Sequence, residues 1–223
     1  MKLGYRIVRD CGRADRTLVD AFSRIPTAII SDNMGRMFAG GAGLRPLHRS
    51  GGMAGNALTV RARPGDNLMV HKAADLAREG DVIVVDAGGD LTNAIIGELL
   101  VSYARSRGVV GMVVDGAARD LDALSAGSFP VYAAGVSHRG PYKDGPGEIN
   151  VPISVGGMVV NPGDIVVGDM DGVLAIPADG AQALLAAAQA QQAKEAAILK
   201  DIEAGTWDRS WVDATLRANG FTD

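Results

Sequence analysis

Cysteine is almost absent. The one residue, Cys11, cannot close an intramolecular disulfide in a chain of 223 residues, and nothing around it has the spacing of a zinc site. Histidine is nearly as scarce: His48, His71 and His138 are far apart, and none pairs at i, i+4 to put two ligands on one helix face. Structural or surface roles are the expectation for each. Lysine is limited to Lys2, Lys72, Lys143, Lys194 and Lys200, all in polar or helical surroundings. Imine catalysis needs a lysine whose pKa is depressed in an apolar setting, and no such position is visible. Basic residues do not cluster and the net charge is −4, which argues against binding a phosphate backbone. No apolar run reaches the length of a membrane span, and the opening MKLGYRIVRDCGR carries charge where a signal peptide needs an apolar core. A soluble, cytoplasmic protein is expected.

What is present is core-forming. Apolar residues make up 47% of the chain and charged residues 22%, a balance that suits one globular domain spanning residues 1–223. Helices are predicted over residues 16–24 and 27–36, with Pro26 as the boundary, and the Gly-rich MFAGGAGLRP reads as a loop. GNALTVRA then reads as a strand, NLMVHKAADLARE as an amphipathic helix, and DVIVVDAGG as an apolar strand that breaks at its paired glycines. In the second half PVYAAGV, INVPISV, MVVNPGD, IVVGD and GVLAIP arrive as short strands divided by Gly, Pro, Asn and Asp. An Ala-rich helix over about 178–204 and a short one near 211–218 close the chain. So long a helix with so little aromatic bulk is expected to reach a neighbouring subunit. The turn before an apolar strand recurs in REGDVIVVD and NPGDIVVGD, read here as repeated turn chemistry.

Two stretches could carry chemistry. VVDAGGD, residues 84–90, ends a strand in an acid and a glycine pair, as nucleotide-binding folds and methyltransferases do. A second acid should close the next strand; Asp115 is there, but about ten residues farther on than usual. A plain tight turn is the larger expectation. The other stretch, GELLVSYARSRGVVGMVVDGAARD, runs from a helix through a strand to a turn presenting Arg119 beside Asp120. Such a pair is either a surface ion pair of little worth or an anion-binding cation next to a carboxylate suited to a hard divalent ion. Glu98 stands 21 positions before Arg119, one crossover away, so both ends of the unit can meet at one sheet edge. If the helix starts near Gly97, the N–H groups of Leu99 and Leu100 lack intrahelical partners and can hold a carboxylate.

That acid, twenty intervening residues and Arg-Asp, together with SDNMGR, GNALTV, SHRGPYKDGPGEINVPISVGGMVVNPGD and GDMDGVLAIP, resemble the RraA-like family that includes class II 4-hydroxy-4-methyl-2-oxoglutarate aldolases. The similarity covers residues 27–203. It implies an α/β fold, a layered αββα sandwich related to the swivelling phosphohistidine domain, assembled as ring trimers or pairs of trimers. It implies a metal-dependent lyase that cleaves 2-oxo acids to pyruvate, with oxaloacetate decarboxylation as a second activity. In this reading Asp120 holds Mg2+, with Mn2+ able to replace it, and Arg119 grips the substrate oxygen. Leu99 and Leu100, following Gly97, bind the substrate carboxylate. Glu98, where many relatives have Asp, and Glu195 from a neighbouring subunit act on the metal through water, with Glu203 as the second candidate for the neighbour's acid. Arg36, His138 and Arg139 are candidate cations for the rest of the substrate. Some relatives instead bind RNA-degradation enzymes as protein inhibitors, and a shared fold does not separate the two roles.

Overall fold

A computed structural model of the chain describes residues 4–9 and 11–221. β1 (Tyr5–Ile7), α1 (Arg16–Phe22), α2 (Thr27–Asn33) and β2 (Arg45–Pro46) come first. A repeating strand–helix run follows: β3 (Met53–Ala62), α3 (Leu68–Leu76), β4 (Asp81–Ile96), α4 (Glu98–Ser106), β5 (Gly111–Ala118), α5 (Leu121–Ala126) and β6 (Val131–Val136). Short strands come next, β7 (Gly147–Ile149), β8 (Ile153–Val155), β9 (Met158–Val160), β10 (Ile165–Gly168) and β11 (Val173–Ile176), and helices α6 (Ala181–Ala204) and α7 (Ser210–Ala218) end the chain.

β3, β4, β5 and β6 are parallel neighbours, because each is joined to the next by a helix that carries the chain back to the same edge. The sheet order is β1-β7-β3-β4-β5-β6-β2, and β10 pairs antiparallel with β3 while β11 pairs with β10. Apolar residues stand on both faces of the central strands. Ile83, Val85, Met112 and Val114 pack with α3 and α4, whereas Val82, Val84 and Val113 pack with Ile153, Val155, Met158 and Val160 of the β8–β9 pair. A slip of one residue would exchange these two sets, so the register is strongly specified. β10 and β11 extend the large sheet from β3, and their residues Ile165, Val167, Leu174 and Ile176 pack against Val19, Phe22, Ile29, Ile30 and Leu185 of α1, α2 and α6. Helices thus cover the strands on two sides, α3 and α4 on one and α1, α2 and α6 on the other, with the β8–β9 pair packed on the large sheet, a layered α/β fold as expected from the resemblance.

Three expectations need adjustment. β4 does not break at its paired glycines: Gly88 and Gly89 take φ of 68° and 69°, and pairing to β5 resumes from Asp90↔Gly116 to Ile96↔Ala118 through register shifts. The left-handed glycines make a wide irregularity rather than an end. α2 stops at Asn33, short of Arg36, whose own φ is 62°. α3 stops at Leu76, where Ala77 turns extended, short of the predicted Glu79. The two Gly-Asp turns do share chemistry, since Asp81 accepts from Arg78 N–H and Asp164 from Asn161 N–H, each three residues back.

Candidate active site

Because β4 and β5 are parallel neighbours, their carboxyl ends lie side by side, and Ile96 is registered with Ala118. The next residues on each strand, Gly97 and Arg119, therefore leave the sheet together at the edge where open α/β sheets bind ligands. Arg119 N–H closes the junction on Ile96 O at 3.0 Å. Asp120 follows in a left-handed conformation, φ 60° and ψ 42°, which Asp tolerates better than most residues. This geometry turns its carboxylate back toward α4, where Oδ2 accepts from the Glu98 N–H at 2.9 Å. A negative group thus caps the positive end of a helix. Arg119 Nε lies 3.8 Å from the same Oδ2, a loose contact that leaves the guanidinium free to bind something else.

Gly97 makes this crossing possible. Its φ of −164° is ordinary extended backbone, but a Cβ there would overlap Asp120 Oδ2 and press on Arg119 Cγ. Gly140 does the same for the other end of the arginine, since its Cβ would come within 3.0 Å of Arg119 Nη1. The Gly140 segment is held down by Asn93, whose Nδ2 donates to Gly140 O at 2.5 Å, and by Ala94 N–H to Arg139 O at 2.8 Å.

The result is a cavity of about 270 Å³ whose lining includes Gly97, Leu99, Leu100, Arg119 and Asp120 together with Asn67, His71, Gly140 and Lys143. Val101 N–H makes the first bond of α4, to Gly97 O, so the N–H groups of Leu99 and Leu100 have no acceptor in the backbone. Leu99 is 82% exposed, so a ligand can reach this turn. Sequence reasoning thus brought together Gly97, Leu99, Leu100, Arg119 and Asp120. Glu98 adjoins them through its backbone, although its side chain is not among those lining the cavity. Glu195 lies on α6 and accepts from Gln191 Nε2 at 2.8 Å. Arg36, paired with Asp32 at 2.9 Å, is not on the cavity wall, and neither are His138 and Arg139.

Three residues on the wall, Asn67, His71 and Lys143, were not among the sequence candidates. Asp66, 1% exposed, explains how they meet: its Oδ1 accepts from Leu68 N–H at the start of α3, and its Oδ2 accepts from Asp144 and Gly145 N–H. Asn67 N–H donates to Tyr142 O as well. The α3 end and the 142–145 segment are thereby tied into one wall. Burial and then the charge of Lys143 hold the His71 imidazole below its usual pKa, with Asp75 opposing them. The other candidates have structural roles: His48 is buried, in contact with Val131 backbone atoms at 3.2 Å and edge-on to Tyr132, and Asp115 accepts from Gly156 N–H. Asp86 accepts from Gly88 N–H, the tight turn that the sequence suggested for VVDAGGD. Lys2 lies outside the described residues.

Among the described residues there is no group of three or more His, Cys, Asp and Glu side chains that could hold a metal ion. That donor set does not suit a metal needing an all-protein cage, but one carboxylate on an open cavity does fit Mg2+, which keeps most of its waters.

Fold and site together define a class. The RraA-like family profile, described as Aldolase/RraA, matches residues 27–175, and the chain belongs to this family. It is 42% identical over 185 residues to a protein of Halalkalibacterium halodurans named "Putative 4-hydroxy-4-methyl-2-oxoglutarate aldolase", covering 83% of this chain and 88% of that one. Among solved structures it resembles an uncharacterized protein from Pseudomonas syringae pv. tomato, with a TM-score of 0.79 and 25% identity over 88% of this chain and 92% of the other. It also resembles RraAS2 of Streptomyces coelicolor, described as an unusual member of the RNase ES inhibitor RraA protein family, with a TM-score of 0.76 and 26% identity over 83% and 97%. Among the described residues no helix is long and apolar enough to cross a membrane.

Proposed function

We propose that this chain is a divalent-metal-dependent lyase that cleaves 4-hydroxy-2-oxo diacids to pyruvate and decarboxylates oxaloacetate. The observation that carries the reading is the convergence of Arg119, Asp120 and the free N–H groups of Leu99 and Leu100 on one cavity. A surface protein–protein contact does not require that convergence. The 2-oxo acid's carboxylate binds at the start of α4, where two unpaired N–H groups and the helix dipole favour an anion. Arg119 donates to the keto oxygen. When the bond between C3 and C4 breaks, its electron pair moves onto that oxygen as an enolate, and the C4 hydroxyl becomes a carbonyl by losing its proton. Arg119 stabilises the oxygen as charge develops. Asp120 would hold the divalent ion, Mg2+ or Mn2+, whose Lewis acidity stabilises the same charge. A water takes the hydroxyl proton and returns one to C3, giving pyruvate, and Glu98, joined to Asp120 through its backbone N–H, is assigned to orient that water. No imine is needed, and Lys143, the lysine on the cavity lining, is solvent-exposed rather than set in the apolar surroundings that imine chemistry requires.

Pyruvate release from a panel of 2-oxo diacids, with and without Mg2+, tests the proposal. Release that stops with excess chelator and returns with Mg2+ or Mn2+ supports it. Turnover unaffected by chelator, or trapping by borohydride in the presence of substrate, would refute the mechanism. A protein that turned over none of the panel yet inhibited an RNA-degradation enzyme would be a regulator of the RraAS2 type.

The site is completed by a second copy of the chain. In α6 the buried residues are Ala181, Leu185 and Ala188, all in its first eight positions. Beyond them Leu199, Ile202, Trp207, Trp211, Leu216 and Phe221 are exposed, an apolar surface suited to a neighbour. Glu195 sits at the start of this half and is the acid assigned to the neighbouring cavity, with Glu203 about two turns beyond it. Asp120→Ala and Glu195→Ala variants, each inactive, should regain activity when their subunits are dissociated, mixed equally and reassembled, with about a quarter of random interfaces intact. Full activity of Glu195→Ala alone, or no recovery despite verified exchange, removes Glu195 from the site.

A further inference from the structure

A second cavity, of about 120 Å³, lies at the other end of α3 from the one that holds Arg119 and Asp120. Leu76, the last residue of α3, and Arg78 line it, together with Asn56 and Asp81 near the amino ends of β3 and β4. The N-terminal segment supplies another part of the lining. Val8 is fastened beside β7, its N–H donating to Ile149 O at 3.1 Å and its carbonyl accepting from Asn150 Nδ2 at 2.8 Å, and Ala14 N–H donates to Asn56 Oδ1 at 2.8 Å. Arg9, Cys11 and Arg13, between these anchors, line the cavity. Asp81, 2% exposed, is already engaged by the Arg13 guanidinium and by Arg78 N–H. Arg9 and the Arg78 side chain are exposed and have no ion-pair partner among the described residues. Asn150, at a left-handed φ of 56°, lines the cavity too; its bond to Val8 O fixes the orientation of the amide and leaves Oδ1 buried with no partner. A buried acceptor is unfavourable until something donates to it. Ile7, Val8, Leu58 and Leu76 add apolar surface.

We infer that this second cavity binds a short-chain hydroxy monocarboxylic acid, its carboxylate received by Arg9 and Arg78, its hydroxyl donating to Asn150 Oδ1 and its carbon chain lying on Leu58 and Leu76. Each part of that ligand answers a feature of the lining. Two guanidinium forks without partners suit a carboxylate, and the one carboxylate present, Asp81, is occupied by Arg13 and does not compete for them. The orphaned Oδ1 calls for a donor, which a hydroxyl supplies and a simple fatty acid does not. A space somewhat smaller than the cavity of about 150 Å³ that accepts benzene limits the carbon chain to about four atoms. The site stands apart from the lyase reading, because the residues that line it share nothing with those around Arg119 and Asp120.

Backbone amide NMR shifts of the isotope-labelled full chain, titrated with 3-hydroxybutanoate, read this site without any turnover. Saturable shifts are expected at Val8, Leu58 and Asn150. Butanoate, which keeps the charge and the chain but lacks the hydroxyl, should bind about fivefold or more weakly, the scale of leaving a buried acceptor unpaired. Arg9→Met and Arg78→Met should each weaken 3-hydroxybutanoate binding by about fivefold, a charge-assisted contact discounted for exposure. Arg49→Met, which removes an exposed charge elsewhere, should leave the affinity unchanged. No saturable shift at Val8, Leu58 and Asn150 would overturn the assignment, whatever happens at Leu99 and Leu100. Equal affinities for the two acids, or an affinity unchanged in both Arg9→Met and Arg78→Met, would overturn it as well. An equal loss in Arg49→Met would reduce the effect to general attraction of an anion to surface charge and leave no site.

Discussion

Asp120→Asn should fold as the parent does and lose about a thousandfold or more in pyruvate release, the scale of removing several kcal/mol of charge stabilisation. The choice of asparagine matters. Asp120 sits at φ 60°, where Asn is the next most tolerant non-glycine residue, and its side-chain carbonyl can still accept the Glu98 N–H that Oδ2 now takes. The substitution therefore removes charge while keeping backbone and cap. Asp120→Ala removes all three and should in addition lower stability by about 1–2 kcal/mol through left-handed strain and the lost cap. Its ion pair with Arg119 adds little to that figure, because the two side chains are 40% and 42% exposed and 3.8 Å apart. Mg2+ titration read by calorimetry should show no binding in either variant. Near-normal turnover in a folded Asp120→Asn would return Asp120 to a purely structural role, as the acid that caps α4.

The contrast between two groups of cavity-lining residues shows what a sequence can carry. Gly97, Leu99, Leu100, Arg119 and Asp120 were readable because one crossover joins them. Once β4 and β5 are taken as adjacent parallel strands, the residues just past their ends must meet, and local chemistry does the rest. The mixed α/β character was readable for a similar reason, since DVIVV and GMVV are apolar on both faces and belong inside, whereas the layering came only with the family resemblance. Asn67, His71 and Lys143 were not readable. Lys143 is more than seventy positions from His71, and what joins them is the Asp66 carboxylate accepting from Asp144 and Gly145 N–H, a contact no periodicity announces. The continuation of β4 through Gly88 and Gly89 has the same origin. Those glycines locally favour a break, and pairing with Gly116, Ala117 and Ala118 of β5 overrides it. Arg36, a candidate cation for the substrate, lies just past the end of α2 and pairs with Asp32 on the surface, a contact that the sequence reading did not consider.

Arg119→Lys should fold normally, bind Mg2+ as the parent does, and lose about 2–4 kcal/mol in kcat/KM, the scale for one donor aimed at a developing oxyanion. Charge alone does not define this position. The side chain passes between Gly97, which makes room for its Cγ and Nε, and Gly140, which makes room for Nη1, so a Cβ at either position would press on it. Nε is turned toward Asp120 Oδ2 at 3.8 Å, which leaves the Nη groups to approach the substrate oxygen. A lysine would place a single ammonium in the space shaped for that fork, and its three donors do not reproduce the fixed directions. The loss should fall on kcat more than on KM, since the oxygen carries most of its charge only as the carbon–carbon bond breaks. Intact Mg2+ binding with a large fall in kcat would separate the work of Arg119 from that of Asp120. An Arg119→Lys enzyme retaining near-parental kcat would show that any cation suffices there, and that the two glycines serve packing rather than aim.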